Sequence, residues 1–239
     1  MKNILLSVGF MTVTLIACSQ NKVINDANAV TRSAKNFHAV SAEDGIDLYI
    51  SQGTEETVAV SASRPEYRDK ITTVVENGVL RIYFAKSDWH FNWSSGKHLK
   101  AYVSFKSLDG LSGSGGSDIY VSGTIRVPKL KLTVSGGSDF EGAVDINDLN
   151  VDLSGGSDVK ITGKSVNLKI DASGGGDFKG YELSSDMCYA EGSGGSDLQV
   201  RVNKELTVNT SGGSDVYYKG NGVIKEAKTS GGGSVSKRD

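Results

Sequence analysis

The tetrapeptide Ser-Gly-Gly-Ser/Gly begins at Ser114, Ser135, Ser154, Ser173, Ser193, Ser211 and Ser230, at intervals of 21, 19, 19, 20, 18 and 19 residues. A period near 19 held over six intervals marks a repeat array. In such an array one unit cannot bury its own apolar face and must stack on its neighbours. Glycine is concentrated there, with 25 of the 30 residues between Gly110 and Gly233. Collagen is excluded, because glycine does not recur every third residue and the chain has only 2 prolines.

The segments around each glycine pair alternate as strands do. Counting back from the repeat serine, positions −5, −3 and −1 read Leu130/Leu132/Val134, Leu149/Val151/Leu153, Leu168/Ile170/Ala172, Cys188/Ala190/Gly192 and Leu206/Val208/Thr210. The residues between them are mostly polar, so one face is buried. After the pair comes a second strand with inward slots Ile119/Val121, Phe140/Gly142, Val159/Ile161, Phe178/Gly180, Leu198/Val200 and Val216/Tyr218. Gly123, Gly163, Gly180 and Gly220 are candidates for a second corner. The pattern predicts an all-β, right-handed parallel β-solenoid (β-helix) with coils of about 19 residues, the hand following from the chirality of parallel crossovers. An antiparallel sandwich or meander, with Ser-Gly-Gly-Ser as a hairpin loop, is the alternative. Cys188 fills a slot taken elsewhere by leucine and reads as a small buried hydrophobe.

Asp118, Asp139, Asp158, Asp177, Asp197 and Asp215 follow the glycine corner in successive coils. Carboxylates one coil apart, ~4.8 Å, repel by ~0.9 kcal/mol even in water. Either each caps its own turn through freed backbone N–H groups, or the column is a ladder for a cation such as calcium. The spacing departs from the calcium-binding nonapeptide repeat, which has a third glycine.

Residues 35–112 also read as β, but irregularly: Ile46–Ile50, Thr57–Ala62, Ile71–Val75, Leu80–Phe84 and Leu99–Phe105, with a hairpin turn at Asn77-Gly78. This stretch is expected to start or cap the solenoid. Ser87–His98 stands apart, with both tryptophans of the chain. Trp89, His90, Phe91 and Trp93 form a candidate ligand surface there, although the alternation of Trp89, Phe91 and Trp93 equally suits a strand packed on the solenoid.

At the N-terminus, Met1-Lys2-Asn3 precedes a mostly apolar run from Ile4 to Ile16, shorter than a membrane span. It ends in Leu15-Ile16-Ala17-Cys18, which looks like a bacterial lipobox. The expected organisation is a signal peptide over 1–17, lipidated Cys18 and a polar tether over 18–34, and one solenoid domain over 35–239. That domain divides into an irregular part, 35–112, and the repeats, 113–235. Ser19 argues against inner-membrane retention, so the lipid is expected to hold the protein in the outer membrane, facing either the periplasm or the cell exterior. A net charge of −2 without a basic run excludes a nucleic-acid footprint. Nothing in the sequence sets an oligomeric state.

Three stretches carry a family resemblance: Gly45-Ile46-Asp47-Leu48-Tyr49-Ile50-Ser51-Gln52-Gly53, Glu76-Asn77-Gly78-Val79-Leu80-Arg81-Ile82, and the Ser-Gly-Ser-Gly-Gly-Ser-Asp that opens the repeats. Through them the chain resembles the putative auto-transporter adhesin, head GIN-domain family of bacterial lipoproteins. The resemblance implies a β-solenoid and transfers no catalytic residues. No unrepeated acid–base pair gathers on one coil, and His38, His90 and His98 are the only histidines. The expectation is a non-catalytic envelope lipoprotein for adhesion or for protein or glycan binding. Its alternatives are a structural periplasmic lipoprotein without a ligand and a carbohydrate-active β-helix enzyme.

Overall fold

The structure, a computed structural model, describes residues 26–85 and 96–239. The N-terminal part supplies β1 (Val30–Arg32), β2 (Ala39–Ala42), β3 (Asp47–Gln52), β4 (Thr57–Ser61), β5 (Ile71–Glu76), β6 (Val79–Phe84), β7 (Lys100–Phe105) and β8 (Gly110–Ser114). A single helical turn, α1 (Pro65–Arg68), lies between β4 and β5. The repeats supply β9 (Ile119–Ser135), β10 (Phe140–Ser154), β11 (Val159–Ala172), β12 (Phe178–Gly192), β13 (Asp197–Thr210), β14 (Asp215–Lys219), β15 (Val223–Thr229) and β16 (Ser234–Lys237). They wind into a β-solenoid of about 7 turns with ~19-residue coils, and the repeats pair only in parallel.

Register explains why the inward slots line up. Leu130, Leu149, Leu168, Cys188 and Leu206 are partners in consecutive coils and form one buried ladder. Cys188 is 4% exposed and takes the leucine place.

Each coil has three sides, one more than the alternation around the glycine pair indicates. Along β9 the inside–outside alternation breaks between Val121 and Ile125 and again between Val127 and Leu130. These two bends and the glycine corner enclose the core. The middle side buries Ile125 and Val127, then Val144 and Ile146, but carries Ser165 and Ser185 in later coils, so its apolar pattern fades. Gly123 lies at the first bend, where β9 is longer than β10 by two residues. Gly180 is not at a corner: it faces inward opposite Val200.

Gly180 is explained by its neighbour. A Cβ there would sit 2.3 Å from the Phe178 ring, and one at Gly142 would sit 2.9 Å from the Phe140 ring. One phenyl ring thus fills two adjacent slots, where other coils use Val159 with Ile161 or Leu198 with Val200. This conserves volume from coil to coil, as close packing demands.

The fourth residue of each corner is buried too. Ser117, Ser138, Ser157, Ser196 and Ser214 are all 0% exposed. The first three hydroxyls satisfy backbone N–H groups of the coil before: Ile46 N donates to Ser117 Oγ at 2.9 Å, Ser117 N to Ser138 Oγ at 2.9 Å and Ser138 N to Ser157 Oγ at 3.2 Å. The ladder stops at Gly176, where a Cβ would lie 2.1 Å from the Ser157 carbonyl oxygen.

The first coils are not stacked in chain order. β2 and β3 lie between β6 and β7 on one side and β8 and β9 on the other, all in parallel. The chain therefore starts on the second coil, winds out to form the first and returns. β5 and β4 then pair antiparallel with the outer edges of β6 and β7, and β1 pairs with β4. These strands cover an edge that would otherwise offer a template for pairing. Asn77 and Gly78, with φ of 50° and 77°, make the tight turn joining β5 to β6.

Substituting Gly180→Ala is expected to destabilise the protein by about 1–3 kcal/mol through overpacking. Adding Phe178→Leu should recover part of that loss, because it removes the ring the new methyl meets. Urea denaturation of the wild type, the single variants and the double variant measures the coupling.

Candidate functional site

The aspartate column runs along the corner edge of the solenoid, and its carboxylates do not cap their own turns. Asp118, Asp139 and Asp158 accept from the backbone of the coil above: Asp139 N donates to Asp118 Oδ1 at 3.0 Å, Asp158 N to Asp139 Oδ1 at 3.1 Å and Asp177 N to Asp158 Oδ1 at 3.1 Å. Ser234 closes the far end, giving Asp215 Oδ1 its N–H at 2.9 Å and its hydroxyl at 2.6 Å. Those bonds hold the Asp215 carboxyl below its ordinary value. Lys179 adds a cation, 2.6 Å from Asp158 Oδ2 and 3.6 Å from Asp177 Oδ2.

The column also begins one coil earlier than the repeats. Asp47 stands in register before Asp118 through the Leu48–Ile119 pairing, and Lys100 stands beside Asp47. The Asp118 backbone N–H favours the ionised form of the Asp47 carboxyl without outweighing its burial. Burial raises that carboxyl above its ordinary value, and repulsion from Asp118 adds to the rise. Sequence reasoning missed Asp47 because its corner reads Glu43-Asp44-Gly45-Ile46 and lacks the glycine pair.

Asp197 breaks the ladder. The Asp215 N–H turns to the Ser196 carbonyl at 3.1 Å instead of a carboxylate. Burial, then repulsion from Asp177 and Asp215, raises Asp197 above its ordinary value. Among the described residues no group of three or more His, Cys, Asp or Glu is placed to hold a metal ion.

Where the N-terminal end of the column meets the first coil, Asp44, Gly45, Asp47, Phe84, Gly96, Lys97, His98 and Leu99 line a depression of about 260 Å³. Phe84 and Gly96 lie on either side of residues 86–95 in the chain. Trp89, His90, Phe91 and Trp93 fall in that segment and lie outside the described residues, as does Cys18. Lys97 Nζ is 5.2 Å from the centre of the Phe84 ring. His98 sits at φ 44°, a left-handed conformation unusual for a residue with a side chain.

Beside the column runs a second feature absent from the sequence reading, an outward stack of tyrosines from three adjacent coils. Tyr102 and Tyr49 have ring centres 5.4 Å apart, and Tyr49 and Tyr120 5.2 Å. Tyr102 donates to Asp26 Oδ2 at 2.8 Å and Tyr120 to Asp118 Oδ2 at 3.3 Å. Burial, with Asp118 and Asp47 nearby, pushes the Tyr120 phenol up to about 12. Their phenols therefore act as hydrogen-bond donors and not as bases. Only register brings them together, since they come from β7, β3 and β9.

The remaining reactive groups are dispersed. His38 Nδ1 lies 2.9 Å from Asp109 Oδ1, an exposed pair whose hydrogen bond and charge raise the imidazole above its ordinary value. Burial pushes the Cys188 thiol up to about 12, so the thiolate that a nucleophile requires is scarce at neutral pH.

The sequence pattern of the family described as "Putative auto-transporter adhesin, head GIN domain" matches residues 36–222. The chain belongs to this family. Among curated proteins, none matches it significantly. Three solved structures share its fold. A putative adhesin from Bacteroides fragilis NCTC 9343 is 20% identical with a TM-score of 0.79, covering 89% of this chain and 98% of its own. A putative adhesin from Parabacteroides merdae ATCC 43184 is 15% identical with a TM-score of 0.69, covering 88% and 95%. A putative lipid binding protein from Parabacteroides distasonis ATCC 8503 is 18% identical with a TM-score of 0.68, covering 90% and 98%.

Two measurements probe the column. Asp197→Asn should raise the melting temperature at neutral pH. A carboxyl whose folded pKa is raised favours the folded state below its unfolded pKa and loses that contribution as pH rises through the folded value. The gain should therefore vanish near about pH 3.5, below the ordinary aspartate value. Calcium is expected to leave the melting temperature of the wild type where a chelator leaves it, because backbone N–H groups already occupy the carboxylates. A rise of several degrees would instead mark the column as a cation ladder.

Proposed function

We propose that this protein is a non-catalytic cell-envelope lipoprotein. In this reading, acyl chains on Cys18 hold it in the outer membrane, the tether is shorter than the expected 19–34 because Val30–Arg32 is strand β1 and Ala34 is buried in the core, and the solenoid is a rigid surface for adhesion or for binding protein or glycan. The observation that carries the reading is the regularity of the outer faces on a chain of an adhesin family. The aspartate column and most lysine–carboxylate pairs recur from coil to coil, as in a scaffold that displays side chains along its length, whereas a catalytic centre gathers unlike groups on one coil.

The aromatic residues Trp89, His90, Phe91 and Trp93 are the proposed contact surface at the N-terminal end. Their segment lies between Phe84 and Gly96 in the chain, and both of these line the depression containing Asp44, Asp47 and His98. A stacking surface beside carboxylates suits the face of a sugar ring or a protein side chain. The filled core is a reason to prefer these ligands to an enclosed lipid, because its inward slots are occupied from Val40 to Val216.

Protease treatment of intact cells tests the orientation. Cleavage without permeabilisation places the solenoid outside and supports adhesion, whereas protection until the outer membrane is opened overturns it in favour of an envelope-facing role. Cys18→Ser should move the protein from the membrane fraction to the soluble one. Trp89→Ala with Trp93→Ala should abolish attachment of protein-coated beads to host or plant polysaccharide surfaces while the melting temperature holds.

A further inference from the structure

Lysines on the outer faces of the repeats are mostly neutralised by a carboxylate. Lys131 pairs with Asp152 at 2.9 Å, Lys160 with Glu141 at 2.7 Å, Lys164 with Asp145 at 3.4 Å, Lys204 with Asp186 at 2.8 Å and Lys225 with Glu205 at 3.0 Å. Around the first bend of the last coils this stops. Arg201 and Lys219 are partners in register, Tyr218 and Lys237 are partners in the next step, and Arg238 N donates to the Tyr218 carbonyl at 2.8 Å. Arg201, Lys219, Lys237 and Arg238 make no ion pair among the described residues, although Arg238 is within electrostatic reach of Asp215 and helps to hold that carboxyl low.

Tyrosines hold these cations instead. Lys219 Nζ is 5.0 Å from the Tyr181 ring centre, Arg238 Cζ 4.5 Å from that of Tyr217 and Lys237 Nζ 6.0 Å from that of Tyr218. Arg201 Nε donates to the Tyr181 carbonyl at 2.8 Å. A ring quadrupole attracts a cation without cancelling its charge. Arg201, Lys219 and Arg238 thus form an outward column over three consecutive coils, spaced ~4.8 Å apart, on a chain whose net charge is −2, with Lys237, in register with the inward-slot Tyr218, beside it in the last coil. A linear polyanion lying along the solenoid axis would meet a cation outside any ion pair at each of these coils.

Two other anionic partners fit less well. Three tyrosine rings already have a cation over one face, which leaves less open ring for the base stacking that single-stranded nucleic acid uses. A lipid surface calls for a broad apolar rim, whereas beside the patch Val223 and Ile224 alone among the described large apolar residues are exposed and Val200, Val202 and Val216 are buried. We propose that Arg201, Lys219, Lys237 and Arg238 bind the carboxylates or sulfates of a linear acidic polysaccharide running along the C-terminal coils. This deepens the adhesin reading and rests on it.

The test uses the full chain with polygalacturonate, neutral dextran, and vesicles of phosphatidylglycerol or phosphatidylcholine. Lys219→Gln/Lys237→Gln/Arg238→Gln is compared with Lys131→Gln/Lys160→Gln/Lys164→Gln, which removes the same charge elsewhere. The wild type should bind polygalacturonate but not dextran. The first triple variant should bind about tenfold more weakly or worse, about 1.4 kcal/mol, and the second within about twofold, both melting as the wild type does. Equal losses in the two variants, no binding by the wild type, or preference for phosphatidylglycerol vesicles would overturn the proposal. Bead attachment separates the two readings: if it survives in a variant that no longer binds polygalacturonate, the patch is not the adhesive surface. If attachment is absent from the wild type, the adhesin reading itself fails.

Discussion

Coils stacked in parallel register place each backbone at hydrogen-bonding distance, ~4.8 Å, from the one below, and everything else in this solenoid answers to that spacing. At Gly176 and at the first glycine of the later corners it leaves almost no room for a side chain. A Cβ on Gly176 would meet the Ser157 carbonyl oxygen at 2.1 Å, and one on Gly174 would meet the Gly155 carbonyl oxygen at 2.5 Å. Inside, the same spacing turns each slot into a continuous ladder, so a bulky residue must be offset within its own coil. The Phe140/Gly142 and Phe178/Gly180 pairs show this, each ring occupying space that a second side chain fills elsewhere.

The spacing also decides what polar groups can do. A carboxylate at one corner lies next to the N–H of the following corner, so a column of like charges is stitched by hydrogen bonds that offset its repulsion. Where one bond is missing, at Asp197, repulsion reappears as a raised pKa. On the outer faces, neighbouring coils pair lysines with carboxylates through most of the repeats. The cation–tyrosine contacts of the last coils depart from that pattern and leave charge unneutralised.

Much of the fold was legible because the coil length is short and its punctuation is glycine. The ladder from Leu130 to Leu206 can be read directly, since each member keeps a constant distance from its Ser-Gly-Gly corner. The middle side of each coil was not legible. Its slots hold Ile125 and Val127 at first but Ser165 and Ser185 later, so no constant pattern marks them. Asp47 escaped notice for a related reason: its corner has the geometry of the others without their residues. The tyrosine stack of Tyr102, Tyr49 and Tyr120 has no sequence signature at all.

The sequence by itself determined the repeat, the inward and outward faces of its strands and the aspartate in each of six corners. These are local properties, set by the alternation of side chains along a strand and by the conformations that glycine allows. Tertiary structure alone decided which coil lies on which. It put β2 and β3 between β6/β7 and β8/β9 and closed the outer edge with antiparallel β4 and β5. It also gathered Tyr181, Lys219 and Arg238 from separate coils. Stacking order depends on backbone groups of distant segments finding partners, and those groups are identical in every residue, so no side-chain pattern records the choice.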